Sequence, residues 1–172
     1  VISESHHVTP DRLSGTAPLA VRIRAAHRDD PTEMGYVLGS WSEGHKVSTR
    51  RLDDMRWPDY KRTERPRLQA VLDRDDTRLL VADHEGLIAG WLALVHGRRV
   101  DTVHWAHTRW RIGSGEHLRR RGVMRALVDA AGLKSKLVYT HRGARRSDEW
   151  IVPWLARRGV TAAYVPLKEW VE

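Results

Sequence analysis

The chain has 172 residues, enough for one domain with its own core, and its 41% apolar and 30% charged residues read as a folded globular sequence. Cysteine is absent, which excludes disulfides, thiolate catalysis and cysteine–zinc sites, and no run approaches the 18 apolar residues of a membrane span. The net charge of +8 suits an anionic partner such as nucleic acid, a nucleotide cofactor or an acidic protein, or equally a solvated basic surface.

Residues 1–19 mix Ser, His, Pro, Gly and Thr without periodicity. They lack the apolar segment of a signal peptide, so a flexible arm is predicted, followed by one domain over 20–172 and a cytoplasmic location. Residues 20–26 alternate and predict a first strand. Asp30 as N-cap, Pro31 at the first position and Glu33 closing a capping box predict a helix to about Glu43, burying Met34, Val37, Leu38 and Trp41. Residues 44–57 read as polar and irregular, and 58–73 as a second helix with Leu68, Val71 and Leu72 inward. Three strands in a meander follow, over 78–83, 87–95 and 100–110, with turns at His84-Glu85-Gly86 and Gly97-Arg98-Arg99. Gly113-Ser114-Gly115 interrupts the pattern. A helix is predicted from near Arg121, with Met124, Leu127, Val128 and Ala131 as its apolar stripe and Gly132 as its stop. A strand at 136–141, a helix at 148–158 ended by Gly159 and a strand at 160–165 complete the chain. This order predicts a mixed sheet, α/β or α+β in class. With no Phe and eight Trp, indoles must carry much of the aromatic packing.

The chemically informative unit is a strand, then an Arg-rich turn with a glycine, then a helix: Arg119-Arg120-Arg121-Gly122-Val123-Met124. A helix start presents unpaired N–H groups and partial positive charge, glycine permits close approach, and arginines add charge-assisted hydrogen bonds. Such a unit is either a phosphate-binding helix start or an ordinary basic one.

The element order and this turn resemble the GNAT superfamily of acetyl-CoA-dependent N-acyltransferases, whose cofactor loop reads Arg/Gln-x-x-Gly-x-Gly/Ala. Here it is Arg119-x-x-Gly122-x-Met124, with Met124 in place of the small residue. Four further pieces are similar, in order, to bacteriophage-type GNAT proteins: Gly39-Ser40-Trp41, Ala89-Gly90-Trp91-Leu92, Val103-His104-Trp105-Ala106-His107 and Tyr139-Thr140-His141. The segment 154–160 is similar to the superfamily's closing helix, with Leu155 where a tyrosine acid is frequent. The resemblance implies a GNAT-like, mostly antiparallel central sheet flanked by helices. It also implies acetyl-CoA as co-substrate, held by Trp105, Ala106 and His107 on the strand and by Arg119, Arg120, Arg121, Gly122, Val123, Met124 and Arg125 at the loop.

Direct attack of an amine on a thioester needs a base for the ammonium, an acid for the thiolate and N–H groups for the oxyanion. His104 and His141 are the candidate bases and Tyr139 the candidate proton donor; each histidine is alternatively a structural hydrogen bonder. His104 and His107 should lie on opposite faces of a regular strand. The ten histidines show no metal-binding spacing, and Arg142, Arg145 and Arg146 form a further basic cluster for a 3′-phosphate, nucleic acid or water. Two functions follow: N-acyl transfer to a primary amine of unknown identity, or, from Met124 and Leu155, an inactive GNAT-like fold. The latter would serve as a phage structural, host-factor-binding or nucleic-acid-associated protein. No membrane partner is expected.

Overall fold

The computed structural model describes residues 18–49, 52, 54–109, 111–112, 116–118, 121–133, 137–140, 155–157 and 159–164. In chain order the elements are β1 (Arg22–Ala25), α1 (Pro31–Ser48), α2 (Trp57–Thr63), α3 (Arg65–Asp73), β2 (Arg78–His84), β3 (Leu87–His96) and β4 (Asp101–Thr108). They continue with β5 (Arg111–Ile112), β6 (Glu116–His117), α4 (Val123–Ala131), β7 (Leu137–Thr140) and β8 (Thr161–Tyr164). Six strands form one sheet in the order β1-β2-β3-β4-β7-β8. The first four pair antiparallel, while β7 and β8 join in parallel. The mixed sheet expected from the sequence is therefore present. The pair β5–β6 is an addition: a two-residue ladder flanking the glycine-rich break.

Helices cover both faces of the sheet. On one, Val37, Leu38 and Trp41 of α1 and Leu68, Val71 and Leu72 of α3 pack on Leu79, Val81, Trp91, Ala93 and Trp105. Three fully or nearly buried indoles meet there: Trp41 lies 5.9 Å from Trp91 and 6.2 Å from Trp105 between ring centroids. Such large apolar surfaces supply the burial that an absent phenylalanine would otherwise give. On the other face, Val123, Leu127 and Ala131 of α4 pack on Leu80, Ala82, Leu92, Leu94 and Ala106. Gly90 makes this second contact possible, since a Cβ there would lie 2.7 Å from the His107 carbonyl oxygen and 3.0 Å from Val123.

Several predicted boundaries are corrected. Helix α1 runs on to Ser48, because its polar last turn is buried with partners in space: His45 Nδ1 meets the Tyr60 hydroxyl of α2 at 2.9 Å. The single helix expected over 58–73 is two, meeting at Glu64, since Pro66 lacks the N–H that a continuous helix would need. The predicted capping box is half formed. Asp30 accepts from the N–H groups of Thr32 and Glu33, but the Glu33 carboxylate turns away, to the His27 N–H at 2.7 Å and to Arg24. Leu19, assigned to the arm by the sequence, is buried in the α4-side core. Residues 1–17 lie outside the described residues, as does the predicted helix from 148 to 154.

The Arg24–Glu33 pair pins the start of α1 to β1. Arg24 gives Glu33 two hydrogen bonds of 3.0 and 2.8 Å, and reaches Asp83 of β2 at 3.4 Å. Burial pushes the Glu33 carboxyl up, but the bonds from Arg24 and the His27 N–H, with the charge of Arg24, outweigh it and leave it below its ordinary value of 4.5. A lowered folded value means stabilisation present above that ordinary value and lost as pH falls through the folded one. Glu33→Gln is expected to cost about 3 kcal/mol at neutral pH, as for a broken buried pair. It should also flatten the acid limb of stability, measured by urea unfolding across pH 3–7. An unchanged acid limb would show that another carboxylate governs it.

Candidate active site

The site is built around the carboxyl end of β4. Antiparallel pairing places Ala93 opposite Trp105 but Leu94 opposite Val103, so His104 is one residue too many: a bulge. Val103 therefore packs toward α4 and Trp105 toward α1, although two residues apart in a regular strand would share a face. Beyond the bulge alternation resumes, with Ala106 toward α4 and His107 toward α1. On its other edge, among the described residues, β4 pairs with β7 from Asp101↔Val138 to Val103↔Thr140.

On the α4 side, the chain leaves β4 and returns to the core at Leu118, 1% exposed. The Arg121 N–H bonds the Leu118 carbonyl at 3.2 Å, and Gly122 follows with φ of 83°. That left-handed value is the reason for a glycine here, since an L side chain is strained there. Gly122 is the N-cap of α4 and, being a glycine, offers no side chain to cap the helix start. Its first N–H groups thus face outward with the positive end of the dipole. The Met124 side chain packs against the core cluster beneath α4. The segment before β1 closes the loop from behind: the Leu19 N–H donates to the Arg121 carbonyl at 2.9 Å. This turns a carbonyl oxygen, which would repel an anion, into the protein.

On the α1 side lies a polar and aromatic cluster. The Tyr36 hydroxyl lies 3.3 Å from His107 Nε2 and accepts from Arg109 Nε at 3.2 Å. The Arg109 guanidinium sits 4.5 Å over the Tyr36 ring. His107 stacks on Trp91 at 6.2 Å, and the Trp91 indole N–H donates to Ser40 Oγ at 2.9 Å. Arginine can only donate, so the Tyr36 oxygen accepts from Arg109, and its bond to His107 runs toward Nε2 when the imidazole carries its proton on Nδ1.

Of the residues expected from the sequence, the structure brings together His107, Arg121, Gly122, Val123, Met124 and Arg125 at this end of the sheet. Arg125 is exposed and pairs loosely with Asp129 at 3.7 Å. Trp105 is consumed by the indole cluster and Ala106 lies in the opposite core. His104 is fully buried inside the bulge. Tyr139 lies on β7 opposite Thr102. Arg119, Arg120, His141, Arg142, Arg145 and Arg146 lie outside the described residues. Leu155 is buried. Tyr36 and Arg109 went unnoticed in the sequence; the faint signal for Tyr36 was its place two residues after Met34 in a helix already assigned to the core.

No protein-family model and no curated protein sequence matches the chain. Its fold matches solved acetyltransferases. One is an aminoglycoside acetyltransferase from an uncultured soil metagenomic sample, at 17% identity and a TM-score of 0.52, covering 86% of this chain and 95% of that one. Another is a ribosomal-protein-alanine N-acetyltransferase from Brucella melitensis biovar Abortus 2308, at 18% identity and a TM-score of 0.52, covering 84% and 93%. The chain thus shares the fold of these acetyltransferases, with the mixed, mostly antiparallel sheet expected from the sequence. Among the described residues no helix is long and apolar enough to cross a membrane.

If the segment before β1 braces the loop as its hydrogen bond and burial indicate, Leu19→Ala should lower stability by about 2 kcal/mol, the cost of truncating a buried leucine. Thermal unfolding of the variant measures this. No change in stability would place Leu19 in the arm after all.

Proposed function

We propose that the chain is an acetyl-CoA-dependent N-acyltransferase that acylates a primary amine by direct attack. The observation that carries this is the arrangement around the end of one strand: an uncapped, glycine-led helix start on one face and a His107–Tyr36–Arg109 cluster on the other. The residues present fit the cofactor. The first turn of α4 offers N–H groups without helical partners, and among the described residues only Pro18 comes within 4 Å of where a Cβ on Gly122 would stand. Met124, whose bulk would obstruct a pyrophosphate if it stood over the turn, is drawn into the core contact instead. Arg121 and Arg125 add positive charge beside the turn.

Acetyl-CoA, when bound, supplies an acyl thioester whose C–S bond breaks as the new N–C bond forms. The protein's part is to hold the amine and move its proton. The amine's proton passes to the Tyr36 oxygen as the Tyr36 proton passes to His107 Nε2, so histidine is the final acceptor and tyrosine the relay. Arg109, bonded to the same oxygen, stabilises negative charge that develops there. His104 is sealed in the bulge and His107 meets Tyr36, so the base is assigned to His107. Tyr139 is kept as the donor to the leaving thiolate on the strength of the resemblance.

An intact site should raise the unfolding temperature in millimolar acetyl-CoA. Saturation at a hundredfold over Kd is worth about 2.7 kcal/mol. Gly122→Val should abolish that shift, because its side chain conflicts with φ of 83° and covers the turn. His107→Gln should keep the shift and lower kcat with an amine acceptor by about 100-fold. Absence of a shift in the native protein would refute cofactor binding, and undiminished kcat in His107→Gln would refute the assigned base.

A further inference from the structure

Arg109 is held more firmly than the relay requires, and only at one edge. Its Nε is bonded to the Tyr36 hydroxyl and its plane rests on the Tyr36 ring, which fixes the orientation of the guanidinium. Among the described residues, its two terminal nitrogens make no hydrogen bond or ion pair. Other arginines spend those nitrogens: the half-buried Arg24 on Glu33 and Asp83, and the more exposed Arg28 on the carbonyls of Leu72 and Thr77. A half-buried, orientated guanidinium with an open two-pronged edge is the geometry that receives a carboxylate through paired N–H···O bonds. Arg109 lies on the α1 face with His107 and Tyr36, whereas the uncapped start of α4 packs on the opposite face. It therefore serves the acceptor side and not the cofactor phosphates.

We infer that the amine acceptor carries a carboxylate close to its nucleophilic nitrogen, as in an α- or β-amino acid, and that Arg109 binds this carboxylate. The spacing follows from the shared oxygen: His107 Nε2 and Arg109 Nε both lie within 3.3 Å of the Tyr36 hydroxyl. An amine poised over that hydroxyl thus places a carboxylate only one or two carbons away against the open edge of Arg109. A long diamine or a sugar amine would leave the guanidinium facing no counter-charge. The inference rests on the acyltransferase reading for the presence of an acceptor, but the binding of the carboxylate is measurable without turnover.

The test uses the full chain with saturating CoA and four probes: glycine, β-alanine, glycinamide and ethylamine. Ligand-observed NMR reads binding, and release of free thiol from acetyl-CoA reads turnover. Glycine or β-alanine should bind at least tenfold more tightly than glycinamide or ethylamine. Arg109→Gln should collapse that preference toward unity, and Arg109→Lys, which keeps the charge but not the fork, should restore part of it. Arg109 acting solely as a support for Tyr36 would instead lower turnover of all four probes by the same factor with no change in preference, and that outcome would overturn the proposal. Equal binding of the four probes to the native protein would overturn it too. CoA binding with carboxylate preference but no thiol release would refute the acyl-transfer reading while sustaining the carboxylate site; loss of CoA binding alone identifies failure of the cofactor reading.

Discussion

The bulge at His104 decides which side chains of β4 reach which face of the sheet. A regular strand running through Val103, Trp105 and His107 would present all three to one helix layer. One inserted residue lets Val103 contribute to the α4-side core while Trp105 and His107 turn toward α1. The same strand end can then be flanked by two unlike environments, a helix start on one face and an aromatic, hydrogen-bonded cluster on the other. Bulges also increase local twist. A second extra residue, Ala89 in β3, falls opposite the shift between Ala82 and Asp83 and brings Gly90 under Val123.

The packing around this strand explains what the short motifs meant. Gly39-Ser40-Trp41, Ala89-Gly90-Trp91-Leu92 and Val103-His104-Trp105-Ala106-His107 lie far apart in the chain, yet they make one cluster. Ser40 takes the Trp91 N–H, Trp41 packs on Trp91 and Trp105, and His107 stacks on Trp91. Their resemblance to a family is thus largely a resemblance in how α1 docks on the sheet. The likeness to phage-type proteins rests on those same pieces, whereas the fold itself is matched in soil-metagenomic and Brucella acetyltransferases.

The fold was legible where a residue's role is set by its neighbours in sequence. Turn residues between apolar runs marked β2, β3 and β4, Asp30-Pro31 marked the start of α1, and Gly132, with φ of 60°, marked the end of α4. It was illegible where polar residues are buried by partners distant in the chain. His45 looks like a loop residue until Tyr60 is beside it, and Glu33 looks like a capping-box residue until Arg24 claims it. The candidate site follows the same rule. Gly122 announced itself by its setting before a helix, but Tyr36 and Arg109 acquire chemical meaning only through each other and His107, 71 residues from Tyr36. Period-two alternation also fails across a bulge, so Val103 and Trp105, two residues apart, face opposite helix layers.

The electrostatics of the site bear on how an amine is made nucleophilic. In the proposed reaction an ammonium does not attack, so the acceptor would have to lose a proton on binding. The end of β4 has positive charge on both faces: the start of α4 with Arg121 and Arg125 on one, Arg109 on the other, within a chain of net charge +8. Nearby cations disfavour the charged form of an amine and so lower its pKa. A site of this kind repels a simple cationic amine while assisting its deprotonation, two effects that oppose each other in overall rate. A carboxylate on the same molecule resolves the conflict, because its attraction to Arg109 offsets the repulsion on entry. In the proposed site, once that charge is paired, the remaining field of the α4 start would still favour the neutral amine beside Tyr36. Positive charge at both faces is therefore compatible with amine chemistry when the acceptor is a zwitterion, and it opposes binding when the acceptor is a polycation.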